Sequence, residues 1–182
     1  MRFRTPRWLA AFNRAILPAL LGRVDGRGML KDVEAIVRIY VESANVGFGD
    51  LDKKRVLDSE RVERWRSDLA APLPYRWWVA TRDGAIVGFA GIGPSRDPID
   101  PDLGELDTIA VEPSHWRTGV GRALMSQALR HLSADGYREA IVWTLANYPR
   151  GAAFYESTGW RANGAFRASG RHVCYAHPLP CS

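Results

Sequence analysis

The chain has 182 residues, 46% apolar and 25% charged, which is average for a soluble globular protein, argues against global disorder and suits a single compact domain. The formal net charge of +5 would point to nucleic acid or a membrane surface if it were spread over the chain. It is not: residues 1–27 hold six Arg and one Asp, and the remaining 19 basic and 19 acidic residues cancel.

Residues 1–28 therefore read as a basic N-terminal extension and residues 29–182 as the domain. Within the extension, Trp8, Leu9, Phe12, Ile16 and Leu17 recur between arginines at roughly helical spacing, as in an interfacial helix. The apolar run at 15–22 is broken by Pro18 and falls far short of the roughly 20 residues a bilayer span needs. Arg14 and the lack of a small-residue cleavage site argue against a secretory signal. A helix packed on the domain or a loose tail ranks first, a membrane-surface or partner helix through residues 1–27 second, and targeting third. Two cysteines, Cys174 and Cys181, are too few for a disulfide framework, so a reducing cytoplasm is the expected setting. His115, His131, His172 and His177 show no metal-ligand spacing with each other or with the cysteines, and no metal is assigned.

The first core helix follows the extension: Val33, Ile36, Val37, Tyr40, Val41 and Ala44 share one face, with Asp32 as N-cap. A second, weaker helix is predicted from Ser59 to Asp68, before the prolines of "APLPYR". "RWWVAT" and "AIVGFAGI" are β-prone runs around "RDG" and form a hairpin. "GPSRDPIDPDLG", with three prolines and three aspartates, is a loop, and "ELDTIAV" is the next strand. A helix over "GRALMSQALRHLSADG" ends near Gly136, followed by strand "EAIVWTL", a short helix from Arg150 to Thr158, and two strands with a turn near "ASGR". The strand–helix–strand unit from Glu105 to Leu145 makes part of a mixed sheet parallel.

"HWRTGVGRAL" sits between that strand and its helix. Gly119 and Gly121 let the backbone take unusual dihedrals and approach a ligand closely. Free amides and the positive end of the helix dipole lie at the same place, flanked by Arg117 and Arg122. An anion, above all a phosphate, fits this position; a tight packing turn explains the glycines alone equally well. There is no G-x-x-x-x-G-K-[ST], and Leu124 stands where the third glycine of a dinucleotide fingerprint would be. Some thirty residues on, "LANYPRGAAFYESTGW" puts Asn147 just after a strand and Tyr155 in the short helix.

Together, "IAVEP", "WRTGVG" and "LANYPRGAAFYESTGW" resemble the GNAT superfamily of acetyl-CoA-dependent N-acetyltransferases, over roughly residues 33–178. The resemblance implies an α+β fold: a mostly antiparallel twisted mixed sheet of about 6–7 strands, about 4 flanking helices, and strands splayed into a CoA cleft. It implies pantetheine on the backbone of Ile109 and Val111, a thioester polarised by an N–H near Ile109 or Ala110, and pyrophosphate on Arg117, Thr118, Gly119, Val120, Gly121 and Arg122. Asn147 would hold the pantetheine amide and Tyr155 would be the general acid toward the departing thiolate. Alternation with period two places Glu105 and Asp107 on the face of Ile109 and Val111, and the resemblance makes Glu105 the catalytic base, with Asp107 second. Phe48, Trp65, Trp77 and Trp78 come from segments that line the family's acceptor cleft, although core packing explains them as well. The aspartates of "SRDPIDPDLG" would suit a cationic amine, or be an ordinary solvated loop. One departure is Trp116, where the family carries Gln or Arg; Arg117 is the neighbouring donor.

The expected function is acetyl transfer from acetyl-CoA, as co-substrate and without metal, to a primary amine of a small molecule in a ternary complex. A protein N-terminal or lysine acetyltransferase and a non-catalytic acyl-CoA sensor are the alternatives. No nucleic-acid partner is expected, and the chain is read as a monomer or homodimer.

Overall fold

The computed structural model describes residues 21–23 and 32–180. The seven strands among the described residues are β1 (Leu21–Arg23), β2 (Arg76–Arg82), β3 (Ala85–Pro94), β4 (Leu103–Val111), β5 (Glu139–Leu145), β6 (Arg161–Arg167) and β7 (His172–Pro178). The four α-helices among the described residues are α1 (Val33–Phe48), α2 (Ser59–Leu69), α3 (Val120–Ala134) and α4 (Pro149–Ser157). The sheet order is β1-β2-β3-β4-β5-β7-β6. Only β4 and β5 run parallel, and every other neighbouring pair is antiparallel. This is the mixed, mostly antiparallel α+β architecture expected, with the parallel pair at the expected crossover.

Local chemistry accounts for most elements. Asp83 and Gly84 have φ of 51° and 80°, the left-handed pair that a two-residue hairpin turn needs to match strand twist. The Asp58 carboxylate accepts from the Arg61 N–H at 2.8 Å and caps α2, an interaction that stabilises a helix by about 1 kcal/mol. Asp32 precedes α1 without such a side-chain bond. The proline-rich loop is shorter than its composition predicts, because β3 continues to Pro94 and β4 begins at Leu103. The helical reading of Trp8 to Leu17 lies outside the described residues, as does Cys181. Leu21–Arg23, within the stretch read as extension, pairs with β2 over Trp78–Ala80 as an edge strand.

Two cores sandwich the sheet, in keeping with the alternation of side chains along its strands. Val79, Phe89 and Ala110 pack on α1 and α2 with Trp65 and Leu69. Trp78, Val87, Leu106 and Val111 pack on α3 with Val120, Leu124 and Leu132. Trp77 and Trp78 are consecutive in β2, so they fall into opposite cores, Trp77 with α1 and α2, Trp78 stacked on His131 of α3. Trp78 thus belongs to the core on the face opposite Trp65 and Trp77.

Candidate active site

Strands β4 and β5 pair only where Leu103–Glu105 meets Glu139–Ile141. Beyond that point they diverge, and Ile109, Ala110 and Val111 stand opposite Val142–Leu145 across a cleft of about 910 Å³. A bulge starts the divergence: Gly91 pairs with Thr108 and Ile92 with Leu106, leaving Asp107 as an extra residue in β4. Such a bulge bends its strand, increases the twist and re-aims side chains. Past Glu105, the β5-facing edge of β4 offers backbone N–H and C=O groups to any extended ligand in the cleft.

At one end of the cleft lies the glycine turn. Gly119, at φ 90°, holds the N-cap position of α3 in the left-handed region, which costs little only without a Cβ. The amides of the first turn that follows have no acceptor within the helix and carry the positive end of its dipole. Arg117, Gly119, Gly121 and Arg122 face the cleft. Thr118 and Val120 do not: the Thr118 hydroxyl donates to the His115 carbonyl at 2.7 Å, and the Val120 side chain is buried in the α3 core. At Gly121 a Cβ would lie 3.3 Å from the Phe154 ring, so α3 and α4 pack tightly here. The turn is anchored from two sides. Arg38 of α1 donates to Glu112 at 2.7 Å, holding that carboxyl below its ordinary range, and Glu112 in turn meets the His115 ring at 3.0 Å.

Trp116 has a defined part in this arrangement. Its indole N–H donates to the Val111 carbonyl at 2.6 Å, and the Arg150 guanidinium lies over its ring at 4.3 Å. It ties the turn to the end of β4 and to α4 by donating to a carbonyl of the backbone stretch read as the pantetheine contact, and both Ile109 and Val111 line the cleft. Trp116→Phe keeps a ring under Arg150 but removes the donor. The expected result is a loss of about 1–2 kcal/mol in thermal unfolding and a several-fold rise in KM for acetyl-CoA, with little change in kcat.

Tyr155 of α4 also lines the cleft, packed on Tyr175 at 5.5 Å and Trp160 at 6.1 Å between ring centroids. Its hydroxyl makes no hydrogen bond to another described residue. Burial pushes its phenol far up, with Tyr148 and Tyr175 adding to the shift, so it stays protonated as a donor.

The two acids of β4 are placed differently from the period-two expectation. Leu106, Ile109 and Val111 all pack toward α3, because the bulge resets the alternation between 106 and 109. Glu105, next to Leu106, therefore turns to the opposite face of the sheet and does not share a face with Ile109 and Val111. The residue is 4% exposed and absent from the cleft lining, and its carboxylate accepts from the Arg96 backbone N–H at 3.1 Å and guanidinium at 3.4 Å. Asp107 lines the cleft and pairs with the same guanidinium. One arginine thus joins a buried carboxylate to an accessible one.

Asn147 is exposed in the turn after β5 and does not line the cleft. Its neighbour Tyr148 does, set edge-on to Phe48 at 4.9 Å and close against Gly47 of α1. Three further lining residues carry no sequence signal of their own. Asp52 joins Arg55 at 2.9 Å and also pairs with Arg171, which ties the segment after α1 to the β6–β7 turn. His172 has a buried Nδ1 without a partner among the described residues, and burial, Arg167 and Arg171 push its pKa down, against a weaker opposing pull from Asp52. Phe48 lines this cleft, whereas Trp65 and Trp77 line a second recess on the α1–α2 face. Among the described residues no cluster of His, Cys, Asp or Glu could hold a metal, and no helix is long and apolar enough to cross a membrane.

Residues 33–160 match the acetyltransferase (GNAT) family. The phosphinothricin N-acetyltransferase of Streptomyces viridochromogenes is 29% identical over 137 residues, 74% of this chain and 70% of its own. A mycothiol acetyltransferase of Streptomyces coelicolor is 29% identical over 59% of this chain, which spans only 32% of that longer protein. In three dimensions the chain is similar to the PaiA N-acetyltransferase of Thermoplasma acidophilum in complex with coenzyme A, with a TM-score of 0.72, 15% identity, and 87% and 98% of the two chains covered.

Proposed function

The chain belongs to the acetyltransferase (GNAT) family, and from that premise we propose that it moves acetyl from acetyl-CoA to a primary amine of a small molecule within a ternary complex. The observation that carries this reading is the continuity of one cleft: a helix start suited to an anion, an unpaired strand edge, and an acid and a phenol among its lining residues. Acetyl-CoA fits the first two features. The amides at Gly119–Arg122 with Arg117 and Arg122 would hold its pyrophosphate, and the edge of β4 at Ile109 would hold its pantetheine. When bound, it supplies an acyl group activated as a thioester.

The remaining chemistry falls to the chain. A protonated amine has no lone pair, so a base must take its proton before attack. Asp107 is the carboxylate that faces the cleft, and Glu105 supports it from behind through Arg96. A backbone N–H near Ile109 or Ala110 would polarise the carbonyl under attack. As the C–N bond forms and the C–S bond breaks, the Tyr155 hydroxyl donates a hydrogen bond to the sulfur. Because the buried phenol is a weaker acid than a thiol, complete proton transfer is uphill. Tyr155 therefore acts chiefly by stabilising the developing thiolate. The names of two relatives, for phosphinothricin and mycothiol, support a small-molecule acceptor.

CoA release from acetyl-CoA, measured over a panel of small amines and peptides, tests this reading. Turnover is expected with small primary amines. Turnover with peptides alone would move the substrate class to proteins, and acetyl-CoA binding without turnover on any acceptor would make the chain a sensor.

A further inference from the structure

The recess on the α1–α2 face, about 350 Å³ in volume, shares Tyr40, Asp107 and Thr108 with the cleft. It therefore opens onto the same carboxylate from the other side of the β4 bulge. We propose that this recess holds an oxyanion carried by the acceptor, so that the acceptor is an amine bearing a carboxylate or phosphate group, with its nitrogen toward Asp107. The proposal rests on the acetyl-transfer reading above for the identity of the second substrate.

Its far wall is one face of α2, where Arg61, Arg64, Trp65 and Asp68 recur at helical spacing. Arg61 donates through Nε to the Val56 carbonyl at 2.7 Å. Its terminal nitrogens make no hydrogen bond or ion pair with a described residue. Arg64 has only a solvent-exposed pairing with Glu60 at 3.6 Å, which is worth little in water. Arg96, the third arginine of the recess, is engaged by Glu105 and Asp107. Arg61 and Arg64 thus face a single free acid, Asp68, and the wall carries a surplus of positive charge and donors.

A second observation agrees. Trp77, which also lines the recess, is 8% exposed, and its indole N–H is buried with no acceptor among the described residues. A buried donor left unpaired is costly, and a ligand oxyanion would satisfy it. Trp77 is held by close contact: a Cβ at Gly91 would lie 2.3 Å from its ring. The recess therefore offers donors at its wall and an acceptor, Asp107, where it meets the cleft. That polarity matches a molecule with an anion at one end and an amine at the other, and guanidinium is well suited to oxyanions.

The test uses matched acceptors: amino acids and aminoalkyl phosphates, each beside the monoamine lacking its anionic group. Acetyl transfer is read as kcat/KM at saturating acetyl-CoA, and binding of the same compounds to the protein–CoA complex is read by titration calorimetry. The anionic member of each pair should be favoured by about 10- to 100-fold, and the better series identifies the oxyanion. The double variant Arg61→Gln/Arg64→Gln should bring that ratio to within about 3-fold of one, and Trp77→Phe, which keeps the ring and removes the donor, should lower it in part. Equal or better use of the monoamines by the wild type, or a ratio that survives the double variant, overturns the proposal. Selective binding of the anionic members without acetyl transfer overturns the acetyl-transfer reading and leaves only the oxyanion site of the recess standing. Transfer without selectivity overturns this one alone, and neither binding nor transfer overturns both.

Discussion

Tyr155→Phe is expected to lower kcat by about 100-fold, the scale of one well-placed hydrogen-bond donor to a developing anion, while KM for acetyl-CoA and the unfolding midpoint stay close to those of the wild type. The change removes one oxygen. The ring that packs on Tyr175 and Trp160 remains. Burial already keeps the phenol protonated, so the wild type should show no loss of activity from tyrosine ionisation on the alkaline side, and the variant should lose rate by a similar factor at every pH. Steady-state kinetics from about pH 6 to 9 check this. A kcat within about 3-fold of the wild type would remove Tyr155 from the reaction.

The two acids of β4 should separate just as clearly. Asp107→Asn is expected to cost about 100-fold in kcat/KM for the amine. The deficit should shrink as pH rises, because an alkylamine with a pKa near 10 increasingly sheds its proton without help. Glu105→Gln should act mainly on stability. It leaves the Arg96 backbone N–H and guanidinium with a weaker acceptor in a buried position, at a cost of about 1–3 kcal/mol, and turnover should fall less than 10-fold. Thermal melts and pH–rate profiles of both variants decide the matter. The reverse order, with Glu105→Gln the slower enzyme and its deficit relieved at high pH, would make Glu105 the group that accepts the proton.

Most of this architecture was legible along the chain because its signals are short-range. Apolar spacing marked α1 and α3, Asp83-Gly84 marked the β2–β3 hairpin, and Gly119 at the strand-to-helix junction marked a turn that requires φ above zero. Each needs only neighbours within a turn or two of helix, where sequence and conformation are directly coupled. Two parts of the cleft lining, the glycine turn and Tyr155, were legible for the same reason: each sits at a recognisable point of a local element.

The placement of individual side chains was not. Strict alternation put Glu105 on the face of Ile109, and only the pairing of β4 with β3 shows Asp107 bulged out and the faces exchanged beyond it. Trp116 looked like a missing polar residue until the fold set its indole against the Val111 carbonyl and under Arg150. Tyr148 carried no signal along the chain, yet Phe48 and Gly47, a hundred residues earlier, pack against it where it lines the cleft. The sequence by itself determined the elements, their order and the glycine turn at the start of α3, since these follow from local propensity and periodicity. Tertiary structure decided which carboxylate meets the cleft and what fills its walls, because strand register and the contacts between distant segments depend on energies that no local stretch contains.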